Sequence, residues 1–243
     1  MTELAAALRS SVSLARVAGS TSVKLLAESL WREPTSTTTA DGLVKVASFG
    51  RAALARLGVD LEVLHAERVP SRGGLVFMWN QESHLDHLVL PCAIPRPFFS
   101  TYNNAVARVP LYARHLRRAG HVHLDRDDET QWRAAVALAA RRVHGGECVL
   151  VSPEGTRSRG GQLLPMKRGA FLLAVQSRQP IVCVTVIGGA QRLPRDAYWV
   201  RPGPMRVVLG EPIATEDATL DDHEALKQAV VETFTRTKAA LRG

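Results

Sequence analysis

Residues 75–91 read LVFMWNQESHLDHLVLP, and this stretch decides the fold that we predict. The uncharged run from Leu75 to Trp79 predicts a buried strand, and the apolar residues after it resume at helical spacing. A turn from strand to helix therefore carries the polar residues 80–83. Ser83 can accept hydrogen bonds from backbone N–H groups at the start of the helix, while Asp86 lies in its positive first turn.

Two histidines and two carboxylates lie close together at this turn, within residues 81–87. Such a concentration suits proton-transfer chemistry, because histidine titrates near neutral pH and a carboxylate can orient it. A capped helix with solvated polar residues accounts for the stretch equally well. The residues of this turn alone leave both interpretations open.

The composition of the 243-residue chain is typical of a globular protein, with 46% hydrophobic and 22% charged residues. The net charge of +8 suits a phosphorylated small molecule, a nucleic acid or an anionic membrane surface. We expect no nucleic-acid partner, since the aromatic content is only 5% and no recognition motif is present. Three widely spaced cysteines, Cys92, Cys148 and Cys183, predict buried free thiols in a reducing compartment and no metal site.

The first part of the chain predicts a membrane contact without a membrane span. No apolar run approaches the roughly 18 residues that a span needs, and a secretory signal is not recognisable. Apolar residues at helical spacing in residues 1–32 predict an amphipathic segment, which lies on a lipid surface or packs on the protein itself. Residues 34–41 form a polar linker. We therefore divide the chain into residues 1–40 and a domain at 41–243, and expect a cytoplasmic protein, peripheral on the inner face of the cell membrane.

Beyond the linker, predicted strands and helices alternate. We predict strands at 59–65, 75–79, 98–102, 121–124, 148–151, 181–187 and 205–209, and helices at 42–57, 83–91, 108–119, 127–144, 166–177 and 220–241. This alternation predicts an α/β fold whose single sheet is covered by helices. The turns after successive strands of such a sheet gather along one edge, where ligands bind.

Three polar turns are candidates for that edge: Asn80–Asp86, Asp125–Arg126 and Glu154–Ser158. In the third, Gly155 lets the backbone approach a ligand, and Thr156 and Arg157 are suited to bind phosphate. The chain has neither the G-x-x-x-x-G-K pattern of a phosphate-binding loop nor the G-x-S-x-G pattern of a serine hydrolase. We therefore expect neither of those enzyme classes.

The order of these motifs resembles that of the glycerolipid acyltransferases, the family of 1-acylglycerol-3-phosphate acyltransferase. The similar stretches are N-x-x-S-x-x-D at 80–86, residues 120–126, P-E-G-T-R-S at 153–158, K-R-G at 167–169 and residues 201–213. The resemblance implies transfer of an acyl group from acyl-CoA or acyl-carrier protein to a hydroxyl of a lysophospholipid acceptor in phospholipid synthesis. It implies no metal and no bound cofactor, because any CoA would be a substrate.

The resemblance also assigns roles to individual residues. Asp86 orients the base, and backbone N–H groups near the Glu154 turn stabilise the negative charge that develops on the thioester carbonyl. The residues that it implies for substrate binding are Ser83, Arg126, Glu154, Gly155, Thr156, Arg157 and Lys167.

The chain departs from the family pattern at Gln81, five residues before Asp86, where the family carries the histidine that removes the acceptor's proton. An amide cannot act as a base near pH 7, and losing a general base typically lowers a rate by about 10²–10⁴-fold. Three explanations remain open: an engineered replacement of the histidine, a natural inactive protein, or transfer of the base role to His84. The last is disfavoured because His84 and Asp86, two residues apart on a helix, point to different faces.

A second departure concerns the acceptor. Asn103 and Asn104 stand where the family often carries lysines, which weakens the case for lysophosphatidic acid. The alternative function, which the residues leave open, is a catalytically inert protein that binds lipid or acyl donor on the same fold.

Overall fold

A computed structural model describes residues 35–241. Seven strands form one sheet: β1 (Val59–Leu64), β2 (Leu75–Trp79), β3 (Phe99–Tyr102), β4 (Val122–His123), β5 (Cys148–Val151), β6 (Ile181–Ile187) and β7 (Gly203–Leu209). Their order across the sheet is β1-β7-β6-β2-β5-β3-β4. Every neighbouring pair is parallel except β6 and β7, which are antiparallel. The predicted α/β fold with a single sheet is confirmed.

The helices lie on both faces of this sheet and at its edge. They are α1 (Ala40–Leu57), α2 (Asp86–Ala93), α3 (Asn104–Ala107), α4 (Pro110–Arg118), α5 (Glu129–His144), α6 (Arg168–Ser177), α7 (Gly189–Arg192) and α8 (His223–Ala240), with short 3-10 turns at Ala66–Arg68 and Leu220–Asp222. Across residues 35–241, every helix is too short or too polar to cross a bilayer. The predicted amphipathic segment at 1–32 lies outside the described residues, so the division of the chain after residue 40 stays a prediction.

Two layers of apolar side chains form the core, one on each face of the sheet. Phe77 of β2 is buried in the cluster that includes side chains of α1 and α2. Its neighbour Met78 is buried in the cluster that includes side chains of α5, α6 and α8. Because helices cover both faces, the central strands are apolar throughout and do not alternate with polar residues. The three cysteines are buried and free, as predicted.

The carboxyl ends of β2, β3, β4, β5 and β6 open on the same side of the sheet, which we call the carboxyl edge. The polar turns that follow β2, β4 and β5 therefore gather there, as predicted. Since β7 is antiparallel to β6, residues 188–202, which join these two strands, also stay at the carboxyl edge.

Two local differences from the predicted elements affect this edge. Helix α2 begins at Asp86 rather than beside Ser83, because the Asp86 carboxylate accepts the backbone N–H groups of Glu82 and Ser83 and holds them in a turn. The short α3, which was not predicted, begins after Asn103, whose side chain caps it by accepting the N–H of Val106.

The described part of the polar linker packs against the domain. Ser36 and Thr37 are buried. Thr37 exchanges two hydrogen bonds of 2.7 Å with the backbone of Phe98, and the Ser36 hydroxyl lies 3.3 Å from the His121 ring. Ser36 and Thr37 are therefore packed into the domain, where Thr37 contacts the residue that precedes β3.

The core face of α6 should dominate stability. Phe171 is fully buried, and Phe171→Ala leaves a cavity beneath the sheet, so the free energy of unfolding should fall by about 3–5 kcal/mol in urea titrations. Leu138→Ala on the neighbouring α5 removes a side chain that is 44% exposed and should change stability by less than about 0.5 kcal/mol. Equal losses in the two variants would contradict this assignment of the core.

Candidate active site

Asn80 fixes the end of β2 against β6. Its side-chain Nδ2 donates to the carbonyl oxygen of Val186 at 2.8 Å, and its Oδ1 accepts the Val186 N–H at 2.7 Å. A buried amide that donates and accepts in this way extends the sheet beyond the last residue of the strand. The turn that follows therefore starts from a fixed position. Asn80 was part of the predicted motif, but we had assigned it no role.

Asp86 is completely buried at the first position of α2. Its Oδ2 accepts the N–H groups of Glu82 at 2.8 Å and Ser83 at 3.1 Å, whereas its Oδ1 has no hydrogen-bond partner. Burial raises the pKa of Asp86 to about 8, and the nearby carboxylates of Glu82 and Glu154 add to this rise against the two backbone bonds. The carboxyl group is therefore predominantly protonated at pH 7, with one oxygen still available to a partner.

Gln81 lies at the start of a cavity, held by its backbone. Its N–H donates to Glu154 Oε1 at 2.9 Å, and its carbonyl oxygen accepts the Ser158 N–H at 2.7 Å. The side chain itself makes no hydrogen bond to Asp86, since Oδ1 is unpaired and Oδ2 is bonded to backbone. The structure thus places Gln81, at the predicted base position, against the Glu154–Ser158 turn.

His84 and His87 keep accessible surface toward the same cavity, with their rings stacked at a centroid distance of 6.5 Å. Loss of bulk water lowers the pKa of both rings, to about 4 for His87, and the Arg157 charge lowers both further. The lowered pKa values favour the neutral form of both rings and make each ring a weaker base. Neither ring is bonded to Asp86, so His84 lacks the carboxylate that would orient it.

Glu154 joins the first and third motifs. It is buried, and its two oxygens accept the N–H groups of Gln81 at 2.9 Å and Leu164 at 2.7 Å. Burial raises its pKa. Because both oxygens are used inside the protein, Glu154 positions the turn rather than facing a ligand.

Ser83 has a similar internal role. Its hydroxyl donates to the carbonyl oxygen of Leu193 at 3.1 Å and accepts the N–H of Leu85 at 3.2 Å, and the residue has no exposed surface. The sequence implied that Ser83 binds substrate; the structure instead places it between α2 and the segment after α7.

A buried ion pair lies directly behind the first motif. Lys238 of α8 donates to Glu82 Oε1 and, at 2.7 Å, to the carbonyl oxygen of Gly161, while Glu82 Oε2 accepts the N–H of Ala190 at 3.2 Å. Both charged side chains are almost fully buried. The last helix thus completes the support of the site. This pair could not be predicted from sequence, because Lys238 lies 156 residues beyond Glu82 on a helix that we predicted only to cover the sheet.

Cationic side chains surround the Glu154–Ser158 turn. The Arg126 guanidinium lies over Gly155, so close that a Cβ at this position would be 2.6 Å from Nη2. With its φ of +67°, Gly155 is thus required both for the turn and for the approach of Arg126. Lys167 is near enough to Arg126 to have its pKa lowered, with partial loss of water the larger cause. The exposed Thr156 lies in the same turn.

Arg157 is paired with an arginine that we did not predict. Arg157 Nη1 donates to the carbonyl oxygen of Arg195 at 3.3 Å, and Arg195 Nη1 donates to that of Arg157 at 2.9 Å. Within residues 35–241, neither guanidinium forms an ion pair, so each keeps donors for an anion. Arg195 lies between α7 and β7, in a stretch where no motif drew attention to it.

A cavity of about 540 Å³ extends from these motifs into the domain. Gln81, Arg126 and Gly155 line it, as do Ser36 and Thr37 of the linker. Most of its wall between them is apolar or aromatic, contributed by Val46, Phe49, Trp79, Leu88, Leu90, Pro91, Phe98, Val106, Leu116, Leu124 and Leu150. This shape suits an amphiphile with an anionic head and an apolar chain.

The structure therefore brings most of the predicted site together. Gln81, Arg126 and Gly155 line one cavity with His84, while Asp86, Ser83 and Glu154 lie behind its wall and hold it in place. Lys238 and Arg195 were missed as members of the site. Asn80 and Glu82 lie in a predicted motif, but the bonds that they form were not predicted.

The known proteins that this chain resembles are all described as acyltransferases. The family model described as Acyltransferase matches residues 60–187, more than half of the chain. Three similar proteins carry the name 1-acyl-sn-glycerol-3-phosphate acyltransferase. The one from Limnanthes douglasii is 28% identical over 75% of this chain and 65% of its own length. The mouse alpha form is 30% identical over 71% of this chain and 61% of its own length. The Saccharomyces cerevisiae protein is 32% identical over 68% of this chain and 55% of its own length.

The chain thus spans less than two thirds of each of these relatives. Among solved structures, that of the 1-acyl-sn-glycerophosphate acyltransferase PlsC from Thermotoga maritima superposes with a TM-score of 0.80. It covers 100% of this chain and 98% of its own, at 20% sequence identity. At this identity the likeness concerns the fold.

Replacing Asp86 should change how stability depends on pH. The unfolded Asp86 loses its proton near pH 4, whereas the folded one keeps it to about pH 8, so the unfolded state binds fewer protons in this interval. The Asp86 contribution to stability therefore falls as the pH rises from about 4 to 8. Asp86→Asn removes this loss, and its free energy of unfolding should rise relative to the unsubstituted protein across that range. A difference independent of pH would show that Asp86 titrates normally.

Breaking the buried ion pair should be costly. Lys238→Met leaves the Glu82 carboxylate without its cation, and the free energy of unfolding should fall by about 3–5 kcal/mol. Glu82→Gln combined with Lys238→Met should recover much of this loss, because no buried charge remains. Lys227→Met on the same helix breaks a pair with Glu224 at the surface and should cost less than about 1 kcal/mol. If Lys238→Met costs no more than Lys227→Met, the pair does not support the site.

Proposed function

The chain belongs to the glycerolipid acyltransferase family, and from this membership we propose that it transfers an acyl group from a thioester to a hydroxyl of a lysophospholipid. The observation that carries the proposal is the cavity, which is lined by many apolar side chains and also by Gln81 and the cation Arg126. An acyl chain fits the interior, and the reacting ester lies next to residue 81. The acyl donor is acyl-CoA or acyl-carrier protein, and the acceptor resembles a 1-acylglycerol-3-phosphate.

The positive charges near Gly155 support an acceptor with an anionic head. Arg126, Arg157, Lys167 and Arg195 carry positive charge around the Gly155 turn, and among the described residues none of the four forms an ion pair. A guanidinium binds phosphate oxygens through two parallel hydrogen bonds. These cations would hold the acceptor's head group while its free hydroxyl reaches residue 81.

The two asparagines after β3, Asn103 and Asn104, do not identify the acceptor's head group. Asn104 Nδ2 donates to Asp125 and Asp127, at 2.7 Å each, and its Oδ1 is bonded to His123. Asn103 caps α3. Both side chains are therefore used inside the protein, and neither adds a cation for the head group. We keep lysophosphatidic acid as one acceptor among several.

The reaction requires the acceptor hydroxyl to attack the thioester carbonyl, with a C–O bond forming, the C–S bond breaking and the proton passing to the leaving thiolate. A base at position 81 would take that proton first. Gln81 cannot do so. The unpaired Oδ1 of Asp86 is the partner that a histidine ring N–H at position 81 would require.

The second candidate function, an inert protein that binds lipid or acyl donor, is supported by the same two residues. Gln81 supplies no base, and the raised pKa of Asp86 leaves a protonated carboxyl group in place of the anion that would orient one. The cavity and the cations around its mouth serve binding equally well. A cytoplasmic, membrane-peripheral location, and the absence of nucleic-acid, metal and cofactor binding, stay predictions.

Restoring the histidine tests the proposal. Gln81→His should raise the rate of thioester release from acyl-CoA by about 10²–10⁴-fold with a matching lysophospholipid acceptor, as expected for a restored general base. Gln81→Asn, which keeps a neutral amide, should give no gain. Asp86→Asn in the Gln81→His background should remove much of the gain, because the ring loses its orienting carboxylate.

The outcome of this assay separates the alternatives. If the unsubstituted protein already turns over and His84→Ala abolishes turnover, His84 is the base. If no variant acts on any acceptor while acyl-CoA or lysophospholipid still binds, the inert binding protein is the correct interpretation. If neither binds, the proposed cavity has another ligand.

A further inference from the structure

One amide side chain joins the two carboxylates that flank Arg126 in the sequence. Asn104 Nδ2 donates to Asp125 Oδ1 and to Asp127 Oδ2, at 2.7 Å each, so both hydrogens of the amide are used. Asn104 is the first residue of α3. It therefore connects the segment that follows β3 to the turn that follows β4.

The oxygen of the same amide is fixed by the sheet. Asn104 Oδ1 lies 2.9 Å from His123 Nε2, and because an amide oxygen only accepts, the ring nitrogen is the donor. His123 is paired with the buried Tyr102 in the register of β3 and β4, and their rings stack with centroids 5.2 Å apart. The amide cannot turn over, since its oxygen would then face two carboxylates.

The turn that carries Arg126 is also held from within. Asp125 Oδ1 accepts the backbone N–H of Asp127 at 3.0 Å and so closes the turn around residue 126. The hydrogen bond from Asn104 is the main cause that lowers the pKa of Asp125, so this carboxyl group stays ionised. Fixed carboxylates therefore lie on both sides of Arg126.

Arg126 is not paired with either of these carboxylates. Within residues 35–241 its guanidinium has no acidic partner; it lies over Gly155 and lines the cavity. Opposite charges a few ångströms apart attract each other even in water, so free carboxylates at 125 and 127 would compete for the guanidinium. The two bonds from Asn104 occupy one oxygen of each carboxylate and direct both toward α3.

We propose that Asn104 is a positioning residue, which holds Asp125 and Asp127 away from Arg126 and so keeps this guanidinium over Gly155, available to the phosphate of the acceptor. The inference rests on the proposed function, because it takes the anionic head group to be the ligand of Arg126. A lysine at position 104 would add a charge of its own. The asparagine instead keeps the charge of another residue free.

Calorimetric titration with two matched lipids tests this role. Asn104→Ala should weaken the binding of lysophosphatidic acid about fivefold, as expected when a freed carboxylate pairs with an exposed guanidinium. Binding of the monoacylglycerol with the same chain, which lacks the phosphate, should not change. Asn104→Asp adds a third carboxylate and should weaken lysophosphatidic acid at least as much. The control is Gln131→Ala, which removes an amide that donates to Asp128 at 2.8 Å, and it should alter neither affinity.

A double-mutant cycle shows whether Asn104 acts through Arg126. Arg126→Ala removes the guanidinium itself and should weaken lysophosphatidic acid by about tenfold or more, as expected for a hydrogen bond to a charged group. Adding Asn104→Ala to Arg126→Ala should then cause no further loss. A purely structural role of Asn104 would lower the affinity in both backgrounds, and the two losses would add.

A measurement without ligand separates this proposal from the proposed function. The side-chain Nε–Hε NMR signal of Arg126, assigned by its loss in Arg126→Lys, should shift in Asn104→Ala and Asn104→Asp and stay in place in Gln131→Ala. If the unsubstituted protein binds neither lipid, the proposed function is wrong, and this signal alone decides the role of Asn104. An Arg126 signal that does not respond to either Asn104 variant would overturn the proposal. So would additive losses in the cycle, or an equal loss of affinity for monoacylglycerol.

Discussion

Three carboxyl groups, those of Glu82, Asp86 and Glu154, are buried near one another at the carboxyl edge, and the buried ammonium group of Lys238 accompanies them. Glu82 is paired with Lys238, Glu154 accepts two backbone N–H groups, and Asp86 accepts two with one oxygen and none with the other. A buried carboxylate is unfavourable unless it is paired or hydrogen-bonded. The turns after β2 and β5 are folded around this requirement, because their backbones supply the missing donors.

This arrangement makes the site tolerant at the position where it departs from its family. Gln81 is held by its own N–H and carbonyl oxygen, which bond to the Glu154 turn. The side chain at 81 therefore contributes little to the shape of the turn. The side chain at this position can change while the surrounding scaffold is preserved, so an amide at the predicted base position is compatible with the fold of the turn.

The sequence predicted the fold and the main parts of the site for clear physical reasons. Apolar runs such as Leu75–Trp79 are long enough to identify central strands, and parallel strands bring their following turns to one edge. The contacts of Asn80, Lys238 and Arg195 were not predicted, because their partners lie far along the chain. The start of α2 was misplaced because the Asp86 carboxyl group accepts the N–H groups of Glu82 and Ser83 and holds residues 82–85 in a turn, within which Ser83 accepts the N–H of Leu85.

The distance along the chain between Glu82 and Lys238 has a consequence for biosynthesis. At typical rates of translation, the 156 residues between them take about 10–30 s to synthesise. Throughout that time β2 and its turn exist without the lysine that neutralises Glu82. The nascent domain can form its central strands early, but Glu82 gains its cation only when α8 arrives. A chain halted before this helix would expose the uncovered face of the sheet together with an unpaired carboxylate, and so present a substrate for chaperones and proteases.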